Sequence, residues 1–176
     1  MEKRRMQMRE KWDLYDRNRN KLGKTIYRGE ELPEGCFHQV IHFVLFNSKG
    51  QMLCQRRTIT KETYPLFWDV TVGGSALAGE TSQQAVHREV LEEIGLDIDF
   101  SQMQPTFTNV FLEYIDDYYF VVRDVEPETL VLQKEEVCDV RYFEIGEIGR
   151  MIDRMEFVQF SAYEQICEVH DQLFPQ

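Results

Sequence analysis

Positive charge is scarce in this chain. Its 20 lysines and arginines stand against 31 aspartates and glutamates, a formal net charge of -11. That balance excludes nonspecific attachment to nucleic-acid backbones and to anionic membrane surfaces. It would also repel a small phosphorylated substrate unless a local cation or basic cluster offset the field. Cysteine is sparse too. Cys36, Cys54, Cys138 and Cys167 lie far apart and form no CxxC pair, which argues against a disulfide framework or a structural zinc site and fits a reducing cytosol. No run approaches the roughly 20 apolar residues of a membrane span. The start, "MEKRRMQMREKW", is basic but has no apolar signal core behind it. There is no internal repeat and no low-complexity tract. The expectation is a soluble, cytoplasmic protein that engages neither a nucleic-acid polymer nor a membrane.

What is present suffices for one domain. The chain has 176 residues, 43% apolar and 29% charged, ordinary values for a globular protein with a sizeable core. "EKWDLYDRNRNKLGKTIYRG" predicts two short strands about an Asn/Gly turn, within an N-terminal extension over residues 1–35. "CFHQVIHFVLFNSKGQMLCQRR" is the strongest strand signal, with "NSKG" as a hairpin turn. The run Val40 to Phe46 is apolar nearly throughout, as in a strand buried on both faces. "TITKETYPLFW" reads as a loop, and "DVTVGGSALAGE" as a short strand entering a glycine-rich loop. Residues 81–94 predict a helix, with Thr81 and Gln84 forming a capping box and Gly95 closing it. Strands follow around "PTFTNVFLEYI", "DYYFVVRDV" and "CDVRYFEI", and residues 147–176 read as a C-terminal helix. Residues 36–146 would then form the core, a mixed sheet covered by helices.

The central helix carries the chemistry. Glu89, Glu92 and Glu93 crowd into five positions, where like charges one turn apart repel. At about 100° per residue they share one arc beside the apolar stripe of Val86, Val90 and Ile94. Packing that stripe on a sheet leaves carboxylates in a crevice, and such a cluster can hold a hard divalent cation. The plain alternative is a solvated helix face, since Glu is a good helix former. The surrounding residues weigh against it. Gly74, Glu80, Arg88, Glu89, Glu92, Glu93 and Gly95 stand in a fixed spacing that chance would match on the order of once in 10 million windows or more rarely, at ordinary residue usage.

That spacing, Gx5Ex7REUxEExGU with U an aliphatic residue, resembles the signature of the Nudix superfamily, and every position matches. The resemblance implies an α/β/α sandwich with a central mixed sheet and hydrolysis of a diphosphate bond in a nucleoside diphosphate linked to another group. It implies Mg2+ or Mn2+ as cofactor. Glu89 and Glu93 would be the principal metal ligands, Glu92 a further ligand through water, and the Gly74 carbonyl another. Arg88 and Glu80 would pair to hold loop and helix in register. Arg88, Glu89 and Glu92 are catalytic candidates. For a general base outside the signature, Glu136 or Glu135 comes first and Asp116 or Asp117 after them, each against the ordinary reading of an exposed acid.

Outside the signature, His38 to Gly95 resembles the branch that holds type I isopentenyl-diphosphate isomerases. Those need a catalytic cysteine and, two residues later, a metal-binding histidine. Here Gly73 and Ser75 take those places, Glu31 stands for another expected histidine, and only His38 matches. Glu89 and Glu92, which isomerases tend to lose, are kept. The expectation is a hydrolase, with isomerase and a nucleotide sensor without catalysis as alternatives. Arg57 and Lys61 match the positions that grip the diphosphate in that branch, and His38 is a third substrate-binding candidate. An arginine presents a fork to phosphate and a lysine a point charge, although both are equally at home on a surface loop.

His38 and His42 share a strand face. A hydrogen-bonded histidine lining the sheet is the expectation, and a metal pair the alternative. Trp68 is expected under the signature loop, with Phe67 also in the core and Tyr64 free to stack on a base. In the tail, Phe157, Phe160, Tyr163 and Ile166 fall at helical spacing, as core packing or as the contact of a homodimer.

Overall fold

In the computed structural model, residues 9–159 and 161–175 are described. Most of the basic start and Phe160 therefore lie outside the described residues. The centre is β3 (His38–Phe46), whose β-branched and aromatic residues suit a pleated, doubly covered strand. On one side it runs parallel to β8 (Tyr114–Val122), which also pairs antiparallel with β7 (Phe107–Phe111). On the other side β4 (Met52–Arg57) stays with β3 only at Leu45 and Phe46, and β6 (Val72–Ser75) takes over at Val40 to Phe43. β4 meanwhile pairs with β9 (Val137–Phe143) and with the two-residue β5 (Trp68–Asp69). The result is a seven-stranded mixed sheet.

Side chains alternate across β3. Ile41, Phe43 and Leu45 face α1 (Ser82–Ile94), where Val86, Val90 and Ile94 are wholly buried against them. Burying side chains of this size is worth roughly 1.5–3 kcal/mol each. Val44 and Phe46 face the opposite layer, α2 (Ile145–Asp153) and α3 (Tyr163–Leu173), through Ile148, Met151 and Ile166. This is the expected α/β/α sandwich.

The single C-terminal helix is corrected to two. The segment between them is extended: Trp68 N–H donates to the Glu156 carbonyl (2.9 Å), Val158 N–H to the Trp68 carbonyl (2.8 Å), and Phe157 is fully buried. Met155 takes φ +56° to make the bend. Phe157 and Ile166 are thus core residues, as the spacing allowed. Trp68 is corrected as well. It packs edge-on against Phe143 (4.8 Å) in the cluster beneath α2 and α3, on the opposite face from the signature helix.

The N-terminal hairpin, β1 (Lys11–Tyr15) and β2 (Lys21–Tyr27), forms its own two-stranded sheet. It is tied down at three places. Tyr15 and Phe37 exchange backbone hydrogen bonds (2.8 and 2.9 Å). Ala78 and Gly79 of the glycine-rich loop donate to the Lys11 carbonyl (2.7 Å) and the Asp13 carboxylate (2.8 Å). Arg19 makes a bidentate pair with the fully buried Asp117 (2.7 and 2.6 Å).

Candidate active site

α1 is fixed at both ends. Thr81 Oγ1 accepts from Gln84 N–H (3.2 Å) while the Gln84 side chain accepts from Thr81 N–H (2.9 Å), a reciprocal cap worth about 1 kcal/mol. Gly95 ends the helix at φ +68°, with its N–H returned to Leu91. Between these caps, Arg88 works as a clamp. Its guanidinium donates to both Glu80 oxygens (2.7 and 3.0 Å) and to the Ser75 carbonyl (3.0 Å), and it lies 2.9 Å from Glu89 and 3.3 Å from Glu92. Burial alone would lower its pKa, but its pairs with Glu80 and Glu89 hold it above the ordinary value. The expected Arg88–Glu80 pairing is present, and it joins strand end, loop and helix.

The carboxylates differ in setting. Glu93 is buried, and among the described residues its carboxylate receives one hydrogen bond, from Gln55 Nε2 on β4 (3.0 Å). Burial pushes its pKa well up, and the neighbouring Glu89 adds to that. Burial pushes Glu89 up to about 7 against the pull of Arg88. Glu89 lies against the Gly74 backbone, where a Cβ on residue 74 would come within 2.3 Å of its carboxyl. Glu92 is half exposed and turned toward Arg88.

These groups line a cleft of about 190 Å³ whose walls come from four parts of the chain. Gly73 to Ser75 and α1 give the acidic wall, Arg57 and Lys61 a basic one, Gln133 and Glu136 a third, and Glu10 and Arg28 of the hairpin the fourth. Lys61 is ion-paired with Glu136. Arg57 is held by Asp69 (3.3 Å) and the Thr63 carbonyl (3.0 Å). Among the described residues, Arg28 pairs only with the exposed Glu10 (3.0 Å).

Other expected site residues are not brought here. His38 is 3% exposed, stacked on Trp12 (4.1 Å) and edge-on to Tyr114, and does not line the cleft. Its Nδ1 has no hydrogen-bond partner among the described residues, so the hydrogen-bonded histidine expected here is corrected to a stacked one. Glu135 offers its backbone carbonyl to Thr58, and its side chain does not line the cleft. Asp117 is consumed by Arg19, Gln39 and Thr108. Asp116 lies on the α2/α3 face, 3.9 Å from His42. Sequence reasoning missed Glu10, Arg28, Gln55 and Gln133. Only the alternation of β4, which puts Gln55 beside inward apolar residues, held any signal for them.

Among the described residues, no three His, Cys, Asp or Glu side chains stand as a finished metal site. The donor set nevertheless fits a hard divalent cation. Half-buried Glu89 and buried Glu93, one helical turn apart, are carboxylates of hard oxygen, both with raised pKa, and a cation there would offset their charge. The bare Gly74 backbone is the cradle that leaves Glu89 its room.

Comparison with known proteins agrees with this geometry. The NUDIX domain family matches residues 37–166. An uncharacterised Nudix hydrolase of Listeria monocytogenes is 46% identical over 157 residues, covering 89% of this chain and 93% of its own. A Photorhabdus laumondii isopentenyl-diphosphate Delta-isomerase is 26% identical over 159 residues, covering 87% and 88%. A Deinococcus radiodurans crystal structure superposes with a TM-score of 0.74 at 23% identity, over 94% of this chain and 99% of that one.

Proposed function

The chain belongs to the NUDIX domain family and is a Nudix hydrolase, and from that premise we propose that it cleaves a diphosphate bond in a nucleoside diphosphate-linked small molecule, with Mg2+ or Mn2+. The observation that carries this reading is the pair of carboxylates with raised pKa, half-buried Glu89 and buried Glu93, facing Arg57, Lys61 and Arg28 across one cleft.

Glu89, Glu93 and the Gly74 carbonyl would hold the divalent ion, with Glu92 at the rim. When bound, the ion supplies charge neutralisation of the diphosphate and a more acidic water. Arg57 and Lys61 grip the phosphate oxygens. Lys61 is paired with Glu136 before substrate arrives. A phosphate that draws Lys61 away frees a Glu136 oxygen to accept the proton of the attacking water. Substrate binding and base activation are then one event. Arg88 positions Glu89 and Glu92.

The isomerase alternative finds no support at the cleft. None of Cys36, Cys54, Cys138 and Cys167 lines it, and Gly73 occupies the position where that chemistry needs a thiol. The test is a panel of nucleotide sugars, dinucleotides, nucleoside diphosphates and non-nucleoside diphosphates with Mg2+ or Mn2+, run beside Glu93→Gln. Metal-dependent hydrolysis that vanishes in the variant supports the reading. Conversion of isopentenyl diphosphate to its allylic isomer, or no hydrolysis across the panel, overturns it.

A further inference from the structure

Arg28 lines the catalytic cleft from outside the stretch that the family shares. The NUDIX domain match covers residues 37–166, whereas Arg28 stands at the open end of the N-terminal hairpin. Its N–H donates to the Glu10 carbonyl (2.9 Å), one step beyond the last strand pair, Lys11 and Tyr27. The backbone is pinned a second time. The Arg9 guanidinium donates to the Arg28 carbonyl through Nε (3.2 Å) and Nη2 (2.8 Å). The hairpin in turn is tied to the glycine-rich loop through Ala78 and Gly79. Residue 28 is thus firmly mounted at the cleft wall.

The side chain is held far more loosely. Arg57, Lys61 and Arg88, the other cations that line the cleft, keep 18%, 20% and 22% side-chain exposure and are committed to Asp69, Glu136 and Glu80. Arg28 keeps 59% and reaches Glu10 through Nη1 alone. Its Nε and Nη2 have no acceptor among the described residues. An ion pair this exposed contributes little stability, so exchanging it costs little. Glu10 would not be stranded by the exchange. Its side chain is 39% exposed, and Oε2 also accepts from Trp12 Nε1 (3.3 Å). Five carboxylates, Glu10, Glu89, Glu92, Glu93 and Glu136, line the cleft against four cations. A phosphorylated ligand therefore meets walls of net negative charge, where a cation held in reserve has most effect.

We infer that Arg28 is a substrate-binding residue supplied by the hairpin: its fork leaves Glu10 for the phosphate oxygens of the substrate, and Glu10 is the internal competitor that those oxygens displace. The inference rests on the hydrolase reading and adds to it a contact from outside the matched segment. Phosphate can take two N–H groups of one guanidinium at once, where Glu10 takes one, so the exchange favours the ligand. Glu10 thereby sets a threshold. An anion too weak to outbid one exposed carboxylate leaves the pair closed.

The test is calorimetric titration of the full chain with methylenediphosphonate, a diphosphate analogue whose bridge cannot be hydrolysed, with Mg2+ present. Arg28→Ala should weaken binding on the order of tenfold, the weight of a hydrogen bond to a charged group. Arg28→Lys should recover only part of this, because a point charge lacks the fork. Glu10→Gln should act the other way and tighten binding severalfold, since it frees the fork while leaving Trp12 an acceptor. Opposite signs from the two halves of one ion pair are the mark of competition. A pair that merely steadied the hairpin would weaken binding in both variants. If Arg28→Ala fails to fold, Arg28→Lys and Glu10→Gln carry the test. No binding to the parent, unchanged binding in the Arg28 variants, or weaker binding in Glu10→Gln overturns the inference. The two readings fail separately. Opposite effects on binding without hydrolysis of any diphosphate would sink the hydrolase reading alone, and hydrolysis with binding indifferent to Arg28 would sink the exchange alone.

Discussion

Gly74 and Glu89 compete for one volume: a Cβ built on Gly74 would fall 2.3 Å from the carboxyl carbon of Glu89. The intruded atoms belong to a side chain that can swing aside, and Gly74 has no positive φ. The cost of Gly74→Ala therefore falls on the site rather than the fold. Activity should drop at least tenfold, about 1.4 kcal/mol in the barrier, while Tm stays within a few degrees. A large fall in Tm would show that residue 74 is needed for folding.

Gly95 makes the opposite case. At φ +68°, a Cβ would meet Val131 Cβ at 2.8 Å and its backbone at 3.2 Å. Gly95→Ala should destabilise the protein by about 1–3 kcal/mol, since backbone conformation and space both oppose it. Urea unfolding at unchanged m-value would measure this.

Glu93→Gln should separate stability from function. It removes a buried charge held by a single hydrogen bond from Gln55. Thermal stability without metal should rise by about 1 kcal/mol, while hydrolysis falls at least a hundredfold. Mg2+ or Mn2+ should raise the Tm of the parent and leave that of the variant nearly unmoved. An equal rise in both would remove Glu93 from the metal site.

Arg88 has a directional test. Arg88→Ala strands Glu80 and Glu89 and should cost about 2–4 kcal/mol. Arg88→Lys keeps the charge but not the fork that spans Glu80 and Ser75. It should recover part of the stability and little of kcat.

His38 predicts a pH effect. Burial pulls its pKa down to about 4 from an ordinary 6.5. The unfolded chain takes up its proton first, so the stability contributed by the neutral ring is complete above about pH 6.5 and is lost as pH falls toward 4. His38→Phe keeps a ring on Trp12 without the titration. Between pH 7.5 and 4.5 the parent should lose more unfolding free energy than the variant, by a difference on the order of 2 kcal/mol. Equal losses would place the acid sensitivity elsewhere, with His42, also pulled to about 4 by burial, as the next residue to vary.

Much of the acidic wall was legible because it is local. A helix puts residues three and four apart on one face, so Glu89, Glu92 and Glu93 could be placed beside the apolar stripe before any fold was known. The caps at Thr81 and Gly95 are local for the same reason. The C-terminal break was not legible. The apolar spacing of Phe157, Tyr163 and Ile166 suits a continuous helix, and only the edge of Trp68, nearly ninety residues earlier, turns residues 156–158 into an extended strip. His38 misled because strand alternation gives the face but not what covers it, and Trp12 of the hairpin covers it.

The sequence by itself determined the family, the sandwich of strands and helices, the signature helix with its caps, and the carboxylates on its edge. Those properties depend on residues within a turn or two of one another. The tertiary structure alone decided what faces the carboxylates: Gln55 on Glu93, Lys61 on Glu136, and Arg28 and Glu10 over the cleft. Each of these contacts joins segments far apart in the chain, and its geometry comes from strand register and sheet order, which local periodicity does not encode.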